Sequence, residues 1–201
     1  MSEFVKGKKT KVGLFFGSFN PLHVGHLIIA NHMLGAGLDK IWFVVSPHNP
    51  LKDKKSLLAT NHRIYMCNVA IENNPKFTVS DIETKLEQPS YTVNTLTHLR
   101  EKFPQYEFAL LMGEDNLANF HKWKNPAEIL KHHEIYVYAR ELNAGEPKNE
   151  FYRHANVKFE QTPLLGISST QIREMIKEGK DIRYMVTEPV YKYLVEMGFY
   201  K

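Results

Sequence analysis

The stretch over residues 12–26 constrains the chain more than any other. Val12, Leu14, Phe15 and Phe16 form a short apolar run of the kind that becomes a buried strand, and Gly17 ends it. Ser18-Phe19-Asn20-Pro21-Leu22-His23-Val24-Gly25-His26 follows. Asn20 is suited to cap a helix and Pro21 to its first turn, which predicts a strand, a tight turn and a helix start in quick succession. In that register His23 and His26 lie three apart on one helical face. Both fall in the first two turns, where free backbone N–H groups and the positive end of the helix dipole favour anions. Gly25 between them lets a phosphate or nucleobase approach the backbone. The pattern points to a phosphate cradle. Two histidines three apart also suit a polar helix face or half of a metal site. Zinc, however, needs at least three protein ligands, and no Cys or His pair elsewhere has the spacing to complete one.

Beyond this motif, β-rich runs alternate with helical periodicity. A second strand is predicted over 41–46, broken by Pro47, and a helix from a Thr60 cap through Asn73. Phe77, Val79 and Ile82 alternate weakly as a third strand. Val93, Leu96 and Leu99 mark a helix that stops before Pro104. The continuous apolar run 108–112, ending at Gly113, predicts a buried parallel strand. A helix over 126–132 and a strand over 135–139 follow, then a polar loop over 143–153 and a strand over 157–161. Two helices close the chain, one from Ser168 to Gly179 and one from Pro189 to Gly198. Such alternation argues for a parallel sheet with helices on both faces. Ligands of that architecture bind beyond the C-terminal ends of the strands, where Gly17, Pro47, Gly113 and Arg140 would emerge.

The chain of 201 residues is long enough for one sizeable core, and we read it as a single domain with residues 1–10 as a flexible tail. Lys6, Lys8, Lys9 and Lys11 form its one dense basic cluster, read as solvated. A net charge of +4 suits polyphosphate substrates and a weak nucleic-acid surface equally. No aromatic and basic interleaving marks a single-strand binding platform, so nucleic acid is not an expected partner. No run approaches the length of a membrane span and the N-terminus lacks an apolar signal core, so the expectation is a cytoplasmic protein. The single cysteine, Cys67, fits a reducing compartment and falls on the apolar face of its helix as a core packer.

Three further segments would meet the first motif at the sheet edge: Pro47-His48-Asn49-Pro50-Leu51-Lys52, Gly113-Glu114-Asp115-Asn116, and Ile167-Ser168-Ser169-Thr170-Gln171-Ile172-Arg173. Ser168 and Gln171 stand at capping-box spacing, which needs no ligand, yet the same hydroxyls with Arg173 suit a second anion cradle. Gly-Ser-Phe-Asn-Pro-x-His-x-Gly-His near one end and Ile-Ser-Ser-Thr-x-Ile-Arg near the other resemble the adenylyltransferase branch of the His-x-Gly-His nucleotidyltransferases. Pro89-Ser90-Tyr91-Thr92-x-x-Thr95-Leu96, and Gly113-x-Asp115 followed by Trp123, match in order and spacing the middle motifs of the bacterial nicotinate mononucleotide adenylyltransferases. The resemblance covers nearly the whole chain from Lys11 on.

The resemblance implies a Rossmann-like doubly wound sheet of nucleotidyltransferase type and transfer of AMP from ATP, with Mg2+, to nicotinate mononucleotide. It implies His23, His26 and Arg173 as catalytic groups at the triphosphate. Gly17, Ser18, Phe19, Gly25, Gly113, Asp115, Arg140, Ile167, Ser168 and Ser169 would line the ATP site. Lys52, Tyr91, Thr92 and Trp123 would hold the acceptor, Lys52 at its phosphate and Trp123 stacked on the pyridine. From the residues alone, Asp115 reads equally as a helix cap and Trp123 as a core aromatic. The chain departs from the usual family pattern at Ser18 and Asn20, at Pro50-Leu51-Lys52 and at Arg140-Glu141-Leu142. Another acceptor such as nicotinamide mononucleotide or phosphopantetheine, a cytidylyltransferase, and a nucleotide-binding module without turnover are the alternatives. Whether the chain forms a homo-oligomer stays open.

Overall fold

The computed structural model describes residues 9–47, 57–138, 149–163 and 166–201. Six strands, β1 (Thr10–Gly17), β2 (Lys40–Val45), β3 (Phe77–Ser80), β4 (Tyr106–Gly113), β5 (Ile135–Tyr138) and β6 (Val157–Glu160), form one sheet. Their order is β3-β2-β1-β4-β5-β6, and every pairing is parallel. This is the doubly wound arrangement predicted from the alternation of elements. The connection reverses direction between β1 and β4, which opens a crevice beyond their C-terminal ends.

The helices are α1 (Val24–Gly35), α2 (Thr60–Ile71), α3 (Thr92–Lys102), α4 (Glu114–Ala118), α5 (Pro126–His132), α6 (Ser169–Lys177) and α7 (Glu188–Met197). Strand side chains alternate between two cores. Val12, Leu14, Trp42, Val44, Leu110 and Val137 pack with Leu96 and Leu99 of α3 and Ile129 and Leu130 of α5. Phe15, Phe43, Leu111 and Tyr138 pack on the opposite face with Ala30 and Met33 of α1 and Cys67 and Ile71 of α2. The inner strands are buried on both sides, which is why they read as continuous apolar runs. A third cluster joins α6 and α7 to Met66 of α2 through Ile172, Val190 and Leu194. Cys67 is fully buried, as its place in the apolar pattern predicts.

Several local expectations are corrected. Ile82 does not extend β3 but opens a 3-10 turn, Ile82–Lys85. Part of the loop expected over 143–153 is another such turn, Glu150–Arg153, and α4 was not foreseen. Thr10 and Lys11 belong to β1 rather than to a tail. The Lys11 ammonium pairs with Glu134 at 2.5 Å and Glu107 at 3.3 Å.

Thr60 is the first residue of α2, not its cap, because its hydroxyl has another partner. That partner is Arg63, one turn into the helix and fully buried. Its Nε donates to the Leu58 carbonyl at 2.9 Å, Nη1 to the carbonyls of Ser18 and Ser46 at 2.7 and 2.8 Å, and Nη2 to the Pro47 carbonyl at 2.8 Å and Thr60 Oγ1 at 3.0 Å. A guanidinium has five N–H donors, and here each has an acceptor. Burial pulls its pKa below the ordinary guanidinium value, opposed by nearby Cys67 and Tyr200.

Replacing Arg63 with methionine leaves four carbonyls without this partner, at about 1 to 3 kcal/mol for each that water cannot reach. We expect Arg63→Met to lower stability by at least about 3 kcal/mol, a fall of roughly 6 to 12 °C in the thermal midpoint of a chain this size. An unchanged midpoint in a thermal melt would show that the guanidinium is dispensable to the fold.

Candidate active site

β1 delivers Gly17 to the crevice, and the chain then turns through Ser18–Leu22 before α1 begins at Val24. The helix starts later than the sequence predicts: His23, not Asn20, occupies the cap position, and Pro21 precedes the first turn. The reason is tertiary. The Asn20 side-chain oxygen accepts from the Leu58 N–H at 3.2 Å and from the Tyr200 hydroxyl at 2.6 Å, so it is not available to α1.

The two histidines nonetheless meet. His26 Nδ1 accepts the His23 backbone N–H at 3.3 Å, taking over part of the capping of α1. An accepting Nδ1 leaves the ring proton of a neutral His26 on Nε2. The His23 and His26 rings stack with centroids 3.7 Å apart and planes at 28°. Phe15 and Phe19 set their rings edge-on to His26 at 5.8 and 5.2 Å, which fixes its plane. Phe19 reaches this place with a left-handed φ of 45°. A β-carbon on Gly25 would come within 3.0 Å of His23 Nδ1. The bare backbone there makes room first for the histidine ring, a role additional to the close ligand approach expected from sequence.

α6 brings the second motif against the first. Ser168 caps it, accepting from the Gln171 N–H at 3.1 Å as the capping-box spacing predicts. Ser169 Oγ donates to the Pro21 carbonyl at 2.9 Å, and Arg173 Nη1 donates to the Asn20 carbonyl at 2.8 Å. Arg173 Nη2 also contacts Thr170 Oγ1 at 3.2 Å. Each Nη carries a second hydrogen, so the guanidinium keeps donor capacity while its direction is set by the motif. Ile167 lies 3.8 Å from where a Gly25 β-carbon would stand.

On the other side of the switch point, Gly113 is buried and caps the short α4. Asp115 therefore is not the cap but an exposed residue of the first turn. Tyr91 caps α3 and Thr92 begins it, which points free backbone N–H groups toward the crevice edge. Trp123 is half-buried and packs on Phe120 at 5.2 Å between centroids, with part of its face outside the core. Lys124 places its ammonium 4.3 Å over the Tyr91 ring, so the Trp123 segment and the start of α3 adjoin. Arg140 and Lys52 lie outside the described residues. Among the described residues no three His, Cys, Asp or Glu side chains gather as a metal site.

Sequence reading missed Arg63, Glu83 and Tyr200. Arg63 carried a signal, since it stands four before Cys67 on the face that the helical pattern assigns to the core. For Tyr200 no local pattern exists, because its partner Asn20 is distant in the chain, and Glu83 carries no periodic or capping signal of its own.

The comparisons with known proteins agree with this architecture. The cytidylyltransferase-like family model matches residues 14–175. A protein of Flavobacterium psychrophilum named probable nicotinate-nucleotide adenylyltransferase is 54% identical over 95% of this chain and 99% of its own length. A protein of the same name from Christiangramia forsetii is 55% identical over 95% of this chain and 98% of its own. The solved Plasmodium falciparum nicotinic acid mononucleotide adenylyltransferase, complexed with NaAD, superposes with a TM-score of 0.79 over 95% of this chain and 97% of that one. At 19% identity it establishes the shared fold. Kinship this close along nearly the full length, with both terminal motifs joined at the switch point, makes the chain a member of the nicotinate-nucleotide adenylyltransferases within the cytidylyltransferase-like family.

Proposed function

We propose that this protein, working as one nucleotidyltransferase domain, transfers AMP from ATP to nicotinate mononucleotide and releases deamido-NAD and pyrophosphate. The observation that carries the reading is the docking of α6 on the Asn20 and Pro21 carbonyls, which sets two helix N-termini and the His23, His26 and Arg173 side chains around one crevice. Aligned helix N-termini and these donors form a field suited to a triphosphate. In this reading Gly17, Ser18, Phe19, Gly25, Ile167, Ser168 and Ser169 border the phosphates, and Gly113 and Asp115 the adenosine. Arg140 and Lys52 retain the roles that the resemblance implies, at the adenine and at the acceptor phosphate.

The chemistry follows from those positions. An oxygen of the acceptor's 5′-phosphate bonds to the α-phosphorus as the bond to the departing pyrophosphate oxygen breaks on the opposite side. The attacking phosphate is already ionised at neutral pH, so no general base is needed, and the protein's task is alignment and charge stabilisation. His26 Nε2–H and the Arg173 guanidinium donate to phosphate oxygens whose charge grows as pyrophosphate leaves. Magnesium would enter with ATP, held largely by phosphate oxygens and water, a mode that does not depend on a cluster of carboxylates, and none gathers among the described residues. The pyridine ring lies against Trp123, and its carboxylate meets the N–H groups and hydroxyl at Tyr91 and Thr92. The enzyme works in the cytoplasm; among the described residues no helix is long and apolar enough to cross a membrane.

Initial rates of ATP-dependent pyrophosphate release should favour nicotinate mononucleotide over its amide analogue, because donors arranged for a carboxylate are poorly matched by a neutral amide. Equal or reversed preference would remove the acid-specific assignment while leaving adenylyl transfer standing. An acceptor panel including phosphopantetheine tests the remaining substrates. His26→Ala should lower kcat on the order of a hundredfold to a thousandfold, the usual cost of one transition-state donor. Its lost capping bond costs only about 1 kcal/mol, so a thermal midpoint far below the parent's would mark the loss as unfolding instead. Trp123→Ala should raise the acceptor KM by about tenfold, as expected when an aromatic stacking partner is removed. An unchanged acceptor KM would rule out this position for the pyridine.

A further inference from the structure

Glu83 is a buried carboxyl, 3% exposed, at the start of the turn after β3. Among the described residues no Lys, Arg or His forms an ion pair with it; the groups on its carboxyl are hydroxyls. Thr95 Oγ1 of α3 donates to Oε1 at 2.9 Å, and the Ser46 and Ser90 hydroxyls lie near enough to favour the charged form of the carboxyl. Burying a carboxylate without a cation is costly, and an apolar or amide side chain of similar size would avoid that cost. A carboxylate, unlike an amide, is acceptor-only, so the Thr95 hydroxyl can meet it only as a donor. Burial pushes the Glu83 pKa up, and the three hydroxyls pull it back toward the ionised form.

The three hydroxyls come from places that matter to the reaction. Ser90 immediately precedes Tyr91 and Thr92, and Thr95 lies on the first turn of α3. Gln88 Nε2 donates to the Glu83 carbonyl at 2.7 Å, so the segment leading to Tyr91 is held at two points. Ser46 leads to the nucleotide side. Its N–H donates to the Gly17 carbonyl at 2.9 Å, and its carbonyl accepts from Arg63, which also holds Ser18. Contacts therefore run from Gly17 and Ser18 through Arg63 and Ser46 toward Glu83 and on to Thr95, with Arg63, Glu83 and Thr95 buried and the others half-buried.

We infer that Glu83 is a positioning residue for the acceptor: by binding Thr95 through its carboxylate and Gln88 through its carbonyl it fixes the Tyr91–Thr92 segment relative to the strand ends that carry the first motif. This rests on the proposed adenylyl transfer, in which the acceptor phosphate must stand in line with the α-phosphorus. Reacting atoms need to lie about 3 to 3.5 Å apart, and a displacement of about 1 Å costs on the order of a hundredfold. Glu83 touches neither substrate in this account; it acts through the segment that does.

The test uses the full chain and measures initial rates of pyrophosphate release while nicotinate mononucleotide and ATP are varied separately, well below each variant's thermal midpoint. Glu83→Ala should lower kcat/KM for the acceptor by about tenfold to a hundredfold, with the acceptor KM rising and the ATP KM within about twofold of the parent's. Glu83→Gln, which keeps the shape and one acceptor oxygen but not the acceptor-only carboxylate, should recover only part of the loss. A rise shared equally by both KM values, or a lowered midpoint with neither KM changed, would reduce Glu83 to a stability role and overturn the inference. Should Glu83→Ala not fold, Thr95→Val carries the same test, with the same split expected and the same outcomes against it. A parent that turns over while its variants show no split defeats this inference alone; a parent that releases no pyrophosphate with any pyridine mononucleotide defeats the proposed function and this with it.

Discussion

The guanidinium of Arg63 ends on five acceptors, four of them main-chain carbonyls from three separate stretches of chain. A loop buried without partners for its carbonyls would not persist, since each orphaned polar group costs free energy comparable to a lost hydrogen bond. Arg63 removes that cost for Ser18 after β1, for Ser46 and Pro47 after β2, and for Leu58 before α2. The phosphate motif can therefore be both irregular and rigid. Asn20, Pro21 and the histidine pair inherit their positions from a turn held from below by one cation and from the side by Leu58 and Tyr200.

The sheet converts that local rigidity into a site. With order β3-β2-β1-β4-β5-β6 and all strands parallel, each following helix begins at the same edge of the sheet. The starts of α1, α3 and α6 thus share a side of the molecule although they are far apart in sequence. Oriented backbone donors concentrate there. Arg173 adds its charge while tied to the Asn20 carbonyl, so the last helix of the site is indexed to the first turn.

Strong periodicity was legible. The strands expected over 108–112 and 135–139 overlap those observed over 106–113 and 135–138, and the Ser168 cap and the ends of α6 and α7 follow from capping chemistry and glycine. The start of α1 was misread because Asn20 satisfies a local rule and a tertiary one, and the tertiary partners hold it. Thr60 was misread for the same reason, with Arg63 as the competitor. The Tyr91 and Trp123 segments were named as one subsite on family likeness; that they adjoin, through Lys124 over the Tyr91 ring, is visible only in three dimensions.

Local pattern was enough for the α/β class, and the likeness of the two terminal motifs to a known family for the adenylyltransferase assignment, since both rest on residues adjacent in the chain. Which segments face each other depends on contacts across more than a hundred residues, and no local pattern encodes them. Arg173 on Asn20 and Ser169 on Pro21 are of that kind. The physical reason is that a polar group's partner is chosen by whichever donor or acceptor folding brings within about 3 Å of it, and only the packed sheet with its helices decides that.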